Sequence, residues 1–157
     1  MKYCLILSLL FIQIETYSQI QKKEVPKETI IGIVKNAGSI KIKLSYYIDE
    51  NNPKDTTYSI VYNDANFTTI DVFETVIFSE TGNTLNDLYA LLKESLDAEN
   101  GKETSFELGK TSVLVVTKIS MGVRNILVSF SKNSNGSGFL YLTKKEVDKL
   151  FNKSKSN

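Results

Sequence analysis

The sequence contains no histidine and no tryptophan, and its only cysteine is Cys4. Without histidine, neither a Ser-His-Asp triad nor an imidazole metal ligand can form. The rest of the chain also has no thiol nucleophile, zinc knuckle or iron–sulfur ligand. A P-loop and a G-x-G-x-x-G segment are missing as well. Any catalysis would depend on carboxylate, Tyr, Ser or Lys groups, so we expect a protein without enzymatic activity, metal or cofactor.

Charge of neither sign predominates in the 157 residues, since 19 Lys and Arg face 18 Asp and Glu. This balance gives no basic excess for binding nucleic acid or an anionic membrane. Apolar residues make up 41% and charged residues 24%, which is ordinary globular composition. The length and composition together predict one folded domain.

The first eighteen residues have the pattern of a secretory signal peptide. A basic start at Lys2 precedes the apolar run 4–14, and the small residues Thr16 and Ser18 stand just before the expected cut. The run is shorter than the ~20 residues of a membrane span, and a core segment or short anchor is the alternative. Cys4 precedes the run, which argues against a lipidated cysteine. We expect export to the periplasm or cell exterior, without a membrane span after cleavage.

Residue periodicity predicts an α+β domain over 30–152, after a polar lead-in at 19–29 and before a frayed tail at 153–157. Alternating apolar and polar residues at 40–49 are typical of a half-buried antiparallel strand. The other predicted strands are 30–35, 56–62, 67–78, 104–108, 111–119, 123–131 and 139–142.

Leucines at helical spacing predict one central helix at about 85–99, with Thr84 as its N-cap. Thr143 and Glu146 form a capping box that begins a short C-terminal helix, about 144–152. We expect the strands to form one antiparallel sheet of about seven or eight strands. A barrel or sandwich with the helices as plugs is the alternative, and no internal repeat is evident.

Several segments also carry a resemblance: AENGK (98–102), FELGK (106–110), SMGV (120–123) and FLYLTKKEVDKLF (139–151). Together with the Tyr-Ser-Gln end of the signal and the use of Lys rather than Arg, they resemble uncharacterised small exported proteins of Bacteroidota. The resemblance spans about residues 55–152. It implies export and no particular activity.

Candidate binding residues lie on two predicted strands. Tyr47 shares the polar face of strand 40–49 with Lys41 and Lys43, and exposed aromatic side chains on a sheet bind sugars or proteins. A plain solvated face is the alternative. Arg124 is the only arginine, and either clamps an anionic ligand or lies at a rim, with Asp71 or Glu74 as its expected carboxylate partner. The partner would be a protein or a cell-surface component, also reached through loop 132–138.

Catalytic and metal patterns are weaker. A glycosidase needs two carboxyl groups about 5–10 Å apart on one face, whereas Asp71 and Glu74 are predicted on opposite faces of a strand. The S-x-x-K segment 129–132 ends a strand, and the oxygen-rich loops 49–55 and 63–66 lack EF-hand spacing. We therefore expect an exported, non-catalytic binding domain. The alternatives are a carboxylate-dependent hydrolase acting on wall or glycan material, and an inhibitor or immunity-type protein.

Overall fold

The computed structural model describes residues 26–49, 52–131 and 137–153. The predicted signal peptide, most of the lead-in, the end of the tail and loop residues 132–136 lie outside this part. The first half contains β1 (Glu28–Asn36), β2 (Ser39–Asp49), β3 (Asn52–Asn63), β4 (Phe73–Ser79) and α1 (Thr84–Asp97). The second half contains β5 (Glu103–Leu108), β6 (Thr111–Ser120), β7 (Val123–Ser131), β8 (Ser137–Thr143) and α2 (Lys144–Leu150).

Each half forms its own four-stranded antiparallel sheet, with the strands in chain order. The prediction of antiparallel sheet with two helices is therefore confirmed, and that of one sheet of seven or eight strands is wrong. The chain leaves the first sheet through α1, so within the described residues β4 and β5 are edges of different sheets. The order of four strands and a helix occurs twice, although the sequence shows no matching repeat.

The two halves exchange their helices. Helix α1 packs on β6 and β7 of the second sheet, whereas α2 packs chiefly on β1 of the first. The hydroxyl of Thr117 on β6 donates to the Ser95 carbonyl of α1 at 2.6 Å. Residues of both sheets and both helices form one core, in which the rings of Tyr62 and Phe130 lie 4.6 Å apart. Neither half can therefore bury its apolar face alone.

The chain departs from the predicted elements at several places. β3 begins at Asn52, inside the segment predicted as the loop 49–55. The strand predicted at 67–78 begins only at Phe73, because residues 64–72 form an irregular connection. Thr84 is the first residue of α1, and Asn83 is the N-cap. The capping box of Thr143 and Glu146 is confirmed, with both reciprocal hydrogen bonds present.

Candidate functional site

A cleft of about 630 Å³ opens beside the first sheet. Three pieces enclose it: the β1–β2 turn, the β3–β4 connection (residues 64–72) and the β8 residues Leu140 and Tyr141. The turn needs two positive φ angles, 49° at Ala37 and 91° at Gly38, which make a tight two-residue hairpin. Pieces far apart in sequence thus meet in one cleft, as ligand sites require.

Asp71 connects the β1–β2 turn to the β3–β4 connection by hydrogen bonds. Its carboxylate accepts a hydrogen bond from Ser39 Oγ at 2.6 Å and another from Asn63 Nδ2 at 2.5 Å. Asn63 also accepts the backbone N–H of Val72 at 3.1 Å. The residue predicted to lie on a strand is therefore a loop carboxylate at the edge of the cleft, and its local hydrogen bonds compete with strand pairing.

Asp64 connects the β3–β4 connection to β8 by hydrogen bonds. Its side chain is buried, and Oδ1 accepts the backbone N–H groups of Asn66 at 3.0 Å and Phe139 at 3.1 Å. The backbone N–H of Ala65 donates to the Phe139 carbonyl at 2.8 Å. The first bond is an Asx-type turn, and the others tie the connection to β8. The oxygen-rich loop at 63–66 therefore has a structural role, because its hydrogen bonds hold the β3–β4 connection against β8.

Apolar side chains stand exposed around these polar groups. Phe67, Ile70 and Tyr141 line the cleft with exposed fractions of 48%, 63% and 45%. The Tyr141 ring also contacts Phe139 edge-on, with centroids 5.7 Å apart, which fixes its position on β8. The cleft therefore offers aromatic and aliphatic surface next to oriented hydrogen-bonding groups, and this combination suits a ligand that is both apolar and polar.

Lys41 borders the cleft, but it does not lie on the outer face with Lys43 as the alternation predicts. β1 pairs Val34 with Ile42 and Lys35 with Ile40, so Lys41 has no partner and forms a β-bulge. The bulge redirects the side chain, and Lys41 Nζ lies 2.7 Å from Glu146 Oε1 of α2. This ion pair joins the first sheet to the helix of the second half.

The ion pair makes stability depend on pH. Burial alone raises the pKa of Glu146, but hydrogen bonds from Lys41 and Thr143 outweigh it, so the pKa lies below its ordinary value of 4.5. A carboxylate with a lower pKa in the folded state stabilises the fold above its unfolded value, and loses this effect as the pH falls through the folded value. We expect urea stability to fall more steeply below pH 4.5 in the wild type than in Glu146→Gln, and parallel acid profiles would contradict this.

The outer face of the first sheet holds the other predicted residues. Tyr47 is half-buried there and pairs with Glu28 and Thr57 on the flanking strands. Lys43 Nζ lies 2.6 Å from Glu28 Oε1, and this hydrogen bond lowers the pKa of Glu28. The Lys43 side chain therefore already has an ion-pair partner within the protein. The role of this face in binding stays a prediction.

The same face carries a row of paired residues across all four strands. Ser45 and Ser59 occupy the two inner strands, and Ile30 and Ile77 occupy the edges. The isoleucines are exposed by 51% and 62%, whereas both serines are buried between their larger neighbours.

Arg124 performs a structural task at the end of α1. Its guanidinium donates to the carbonyl oxygens of Leu96 at 3.1 Å and Ala98. These are unpaired carbonyls at the negative end of the helix dipole, where a cation is favourable. Of the two carboxylates expected as its partner, Asp71 accepts from Ser39 and Asn63 at the cleft, and a pairing with Glu74 stays a prediction.

We expect Arg124→Met to lower the free energy of unfolding by about 1 kcal/mol, because two helix carbonyls lose a charged donor. Lys118→Met, at the exposed cation of the preceding strand, should change it by less than about 0.5 kcal/mol. Urea denaturation of the three proteins measures the difference. Unchanged stability in Arg124→Met would contradict the capping role.

Other predicted chemistries gain no support from the geometry. Ser129 lies on β7, while Lys132 of the S-x-x-K segment lies outside the described residues. Among the residues that the structure covers, no group of three or more Asp, Glu, Cys or His could hold a metal ion. No helix in that same part combines the length and apolar character of a membrane span.

The sequence interpretation missed the cleft itself. Its signals were present in the oxygen-rich segments at 63–66 and 71, but strand propensity at 67–78 outweighed them. Exposed Phe67 and Ile70 look like strand residues when neighbouring residues alone are considered.

Comparisons with models of protein families, with curated proteins and with solved structures found no match for this chain. The class defined by the fold is therefore an α+β domain of two four-stranded antiparallel sheets with exchanged helices. The resemblance to small exported proteins of Bacteroidota stays a prediction.

Proposed function

We propose that this chain is an exported, non-catalytic binding domain whose cleft takes a neutral saccharide. The observation that carries the proposal is the placement of exposed Phe67 and Tyr141 beside the oriented carboxylate of Asp71. A sugar ring has apolar C–H faces that pack on aromatic rings, and hydroxyl groups that donate to carboxylates. The two kinds of contact are available within one concave surface.

The charge of the cleft disfavours an anionic ligand. Lys41, the cation at its border, is paired with Glu146, and an anion would have to break this pair. Asp71 accepts hydrogen bonds from the uncharged side chains of Ser39 and Asn63, so its remaining lone pairs can accept a hydroxyl group of a neutral ligand.

The carboxylate-dependent hydrolase is the second candidate, because Asp64 and Asp71 line the same cleft. Each of these carboxylates accepts hydrogen bonds from the chain's own groups, and those bonds hold the loops in place. In a hydrolase, by contrast, both carboxyl groups must be directed at the scissile bond. This arrangement supports binding rather than hydrolysis.

The test uses residues 19–157 on an array of soluble oligosaccharides, followed by calorimetric titration of each hit. Tyr141→Ala and Phe67→Ser should weaken binding roughly tenfold, since each removes a stacking surface. Tyr47→Ala is the matched control, because it removes a partly exposed tyrosine from the outer sheet face and should leave the affinity unchanged. Chromatography of the incubated ligand looks for cleavage products.

The outcomes separate the candidates. Affinity lost in Tyr47→Ala but retained in Tyr141→Ala would move the site to the outer face of the first sheet. Cleaved ligand that disappears in Asp71→Asn would favour the hydrolase. Absence of any oligosaccharide binding would contradict the saccharide proposal.

A further inference from the structure

The turn between β6 and β7 exposes apolar side chains in a place where most hairpins are polar. We call residues 118–124 the β6–β7 tip. Ile119 and Val123 are exposed by 43% and 55%, and Met121 is completely exposed. The tip shares no residue with the cleft. Since a fully exposed methionine gains no packing, the folded monomer itself gives no reason for this choice.

The backbone conformation of the turn is also unfavourable for methionine. Met121 has a φ of 50° and Gly122 a φ of 75°, the two positive angles of a type I′ turn. Position 121 favours Asn, Asp or Gly, because other side chains are strained in the left-handed region. The sequence thus places a methionine where both its conformation and its hydration are unfavourable. Such an outlier points to function at the tip.

The charges of the tip are of one sign. Lys118 and Arg124 are its two charged residues, and both are positive. Arg124 pairs across the hairpin with Ile119, in the second pair below the turn. The acidic Asp97 and Glu99 flank Ala98, next to the Arg124 guanidinium and not in the turn. The exposed end therefore combines apolar side chains with basic flanks.

We propose that the β6–β7 tip inserts into the headgroup region of a lipid bilayer and holds the domain at the membrane surface. The side chains of Ile119, Met121 and Val123 offer far less area than the ~800 Å² per partner of a stable protein interface. A bilayer interface needs no matching pocket, and its affinity for a peripheral segment grows with buried apolar area and with basic charge near anionic lipids. Both requirements are met at this convex tip.

The absence of tryptophan gives the proposal a direct test. Met121→Trp places a single indole at the tip, and Lys110→Trp places one in the exposed turn between β5 and β6, outside the cleft. With phosphatidylcholine vesicles containing phosphatidylglycerol, Met121→Trp should shift its emission to the blue and be quenched by brominated lipid. Lys110→Trp should keep the emission of a hydrated indole.

The unlabelled protein provides the second measurement, because an added tryptophan itself favours membranes. Wild-type chain should co-sediment with the same vesicles, and Met121→Asn should reduce the partition coefficient roughly tenfold. Asn suits the turn, so this variant should fold at least as well as the wild type. Weaker binding when phosphatidylglycerol is omitted would support the role of Lys118, since the Arg124 guanidinium is hydrogen-bonded to carbonyl oxygens of α1.

Two results would overturn the proposal. One is wild-type protein that stays in the supernatant while Met121→Trp shows no blue shift. The other is a wild-type dimer in sedimentation velocity that Met121→Asn converts to a monomer, since the tip would then contact a second copy of the chain.

Discussion

Replacement of Gly32 by alanine is expected to lower the free energy of unfolding by about 3 kcal/mol, or roughly 10 °C in melting temperature. A Cβ atom at this position would come closer than 3.0 Å to the carbonyl oxygens of Lys149 and Leu150. These oxygens are backbone atoms at the end of α2, so the steric clash can be relieved only if the helix moves away from β1. The glycine is what allows the exchanged helix to approach the first sheet.

The matched control is Gly38→Asn in the β1–β2 turn. A Cβ atom there meets nothing within 4 Å, and Asn tolerates the positive φ of 91°. We expect its stability to lie within about 0.5 kcal/mol of the wild type. Thermal and urea denaturation compare the variants, and equal stability of Gly32→Ala and wild type would show that α2 is not held closely against β1.

Asp64→Ala should cost a similar amount, about 3 kcal/mol, because it leaves the partly buried N–H of Phe139 without its acceptor and removes a charged hydrogen bond to Asn66. Asp64→Asn keeps an acceptor oxygen and should lose about half as much. Urea denaturation gives the free energies. Hydrogen exchange should show faster exchange of the Phe139 and Asn66 amides in Asp64→Ala.

The Asp64 series also examines the cleft. If the carboxylate holds the β3–β4 connection, Asp64→Ala should weaken ligand binding together with the protection of residues 64–72. If Asp64→Ala keeps the stability and the hydrogen exchange rates of the wild type, Asp64 does not hold the β3–β4 connection against β8. Catalytic activity lost in Asp64→Asn at full stability would assign chemistry to this carboxylate instead.

The exchanged helices give the cleft its support. Glu146 of α2 holds Lys41 at the border of the cleft, and Asp64 connects the β3–β4 connection to β8 of the other half. The walls of the cleft thus depend on contacts between the halves. A ligand that binds there also stabilises the association of the two sheets.

The sequence by itself determined the local elements. Alternation at 40–49, leucine spacing in α1, the capping box at Thr143 and Glu146, and glycine at the hairpin turns each act within a few residues. Nearest-neighbour sterics and one hydrogen-bonded turn suffice for such features. For this reason the α+β class and most strands were predictable.

Tertiary structure alone decided which sheet each strand joined, where the helices packed and what formed the cleft. Strand propensity at 67–78 lost to the hydrogen bonds that Asp64 and Asp71 make with distant residues, Phe139 and Ser39. The side-chain partner of Lys41 and the helix acceptors of Arg124 likewise lie 26 or more residues away. Such contacts gain free energy only after the chain has collapsed around one shared core, and no local pattern encodes them.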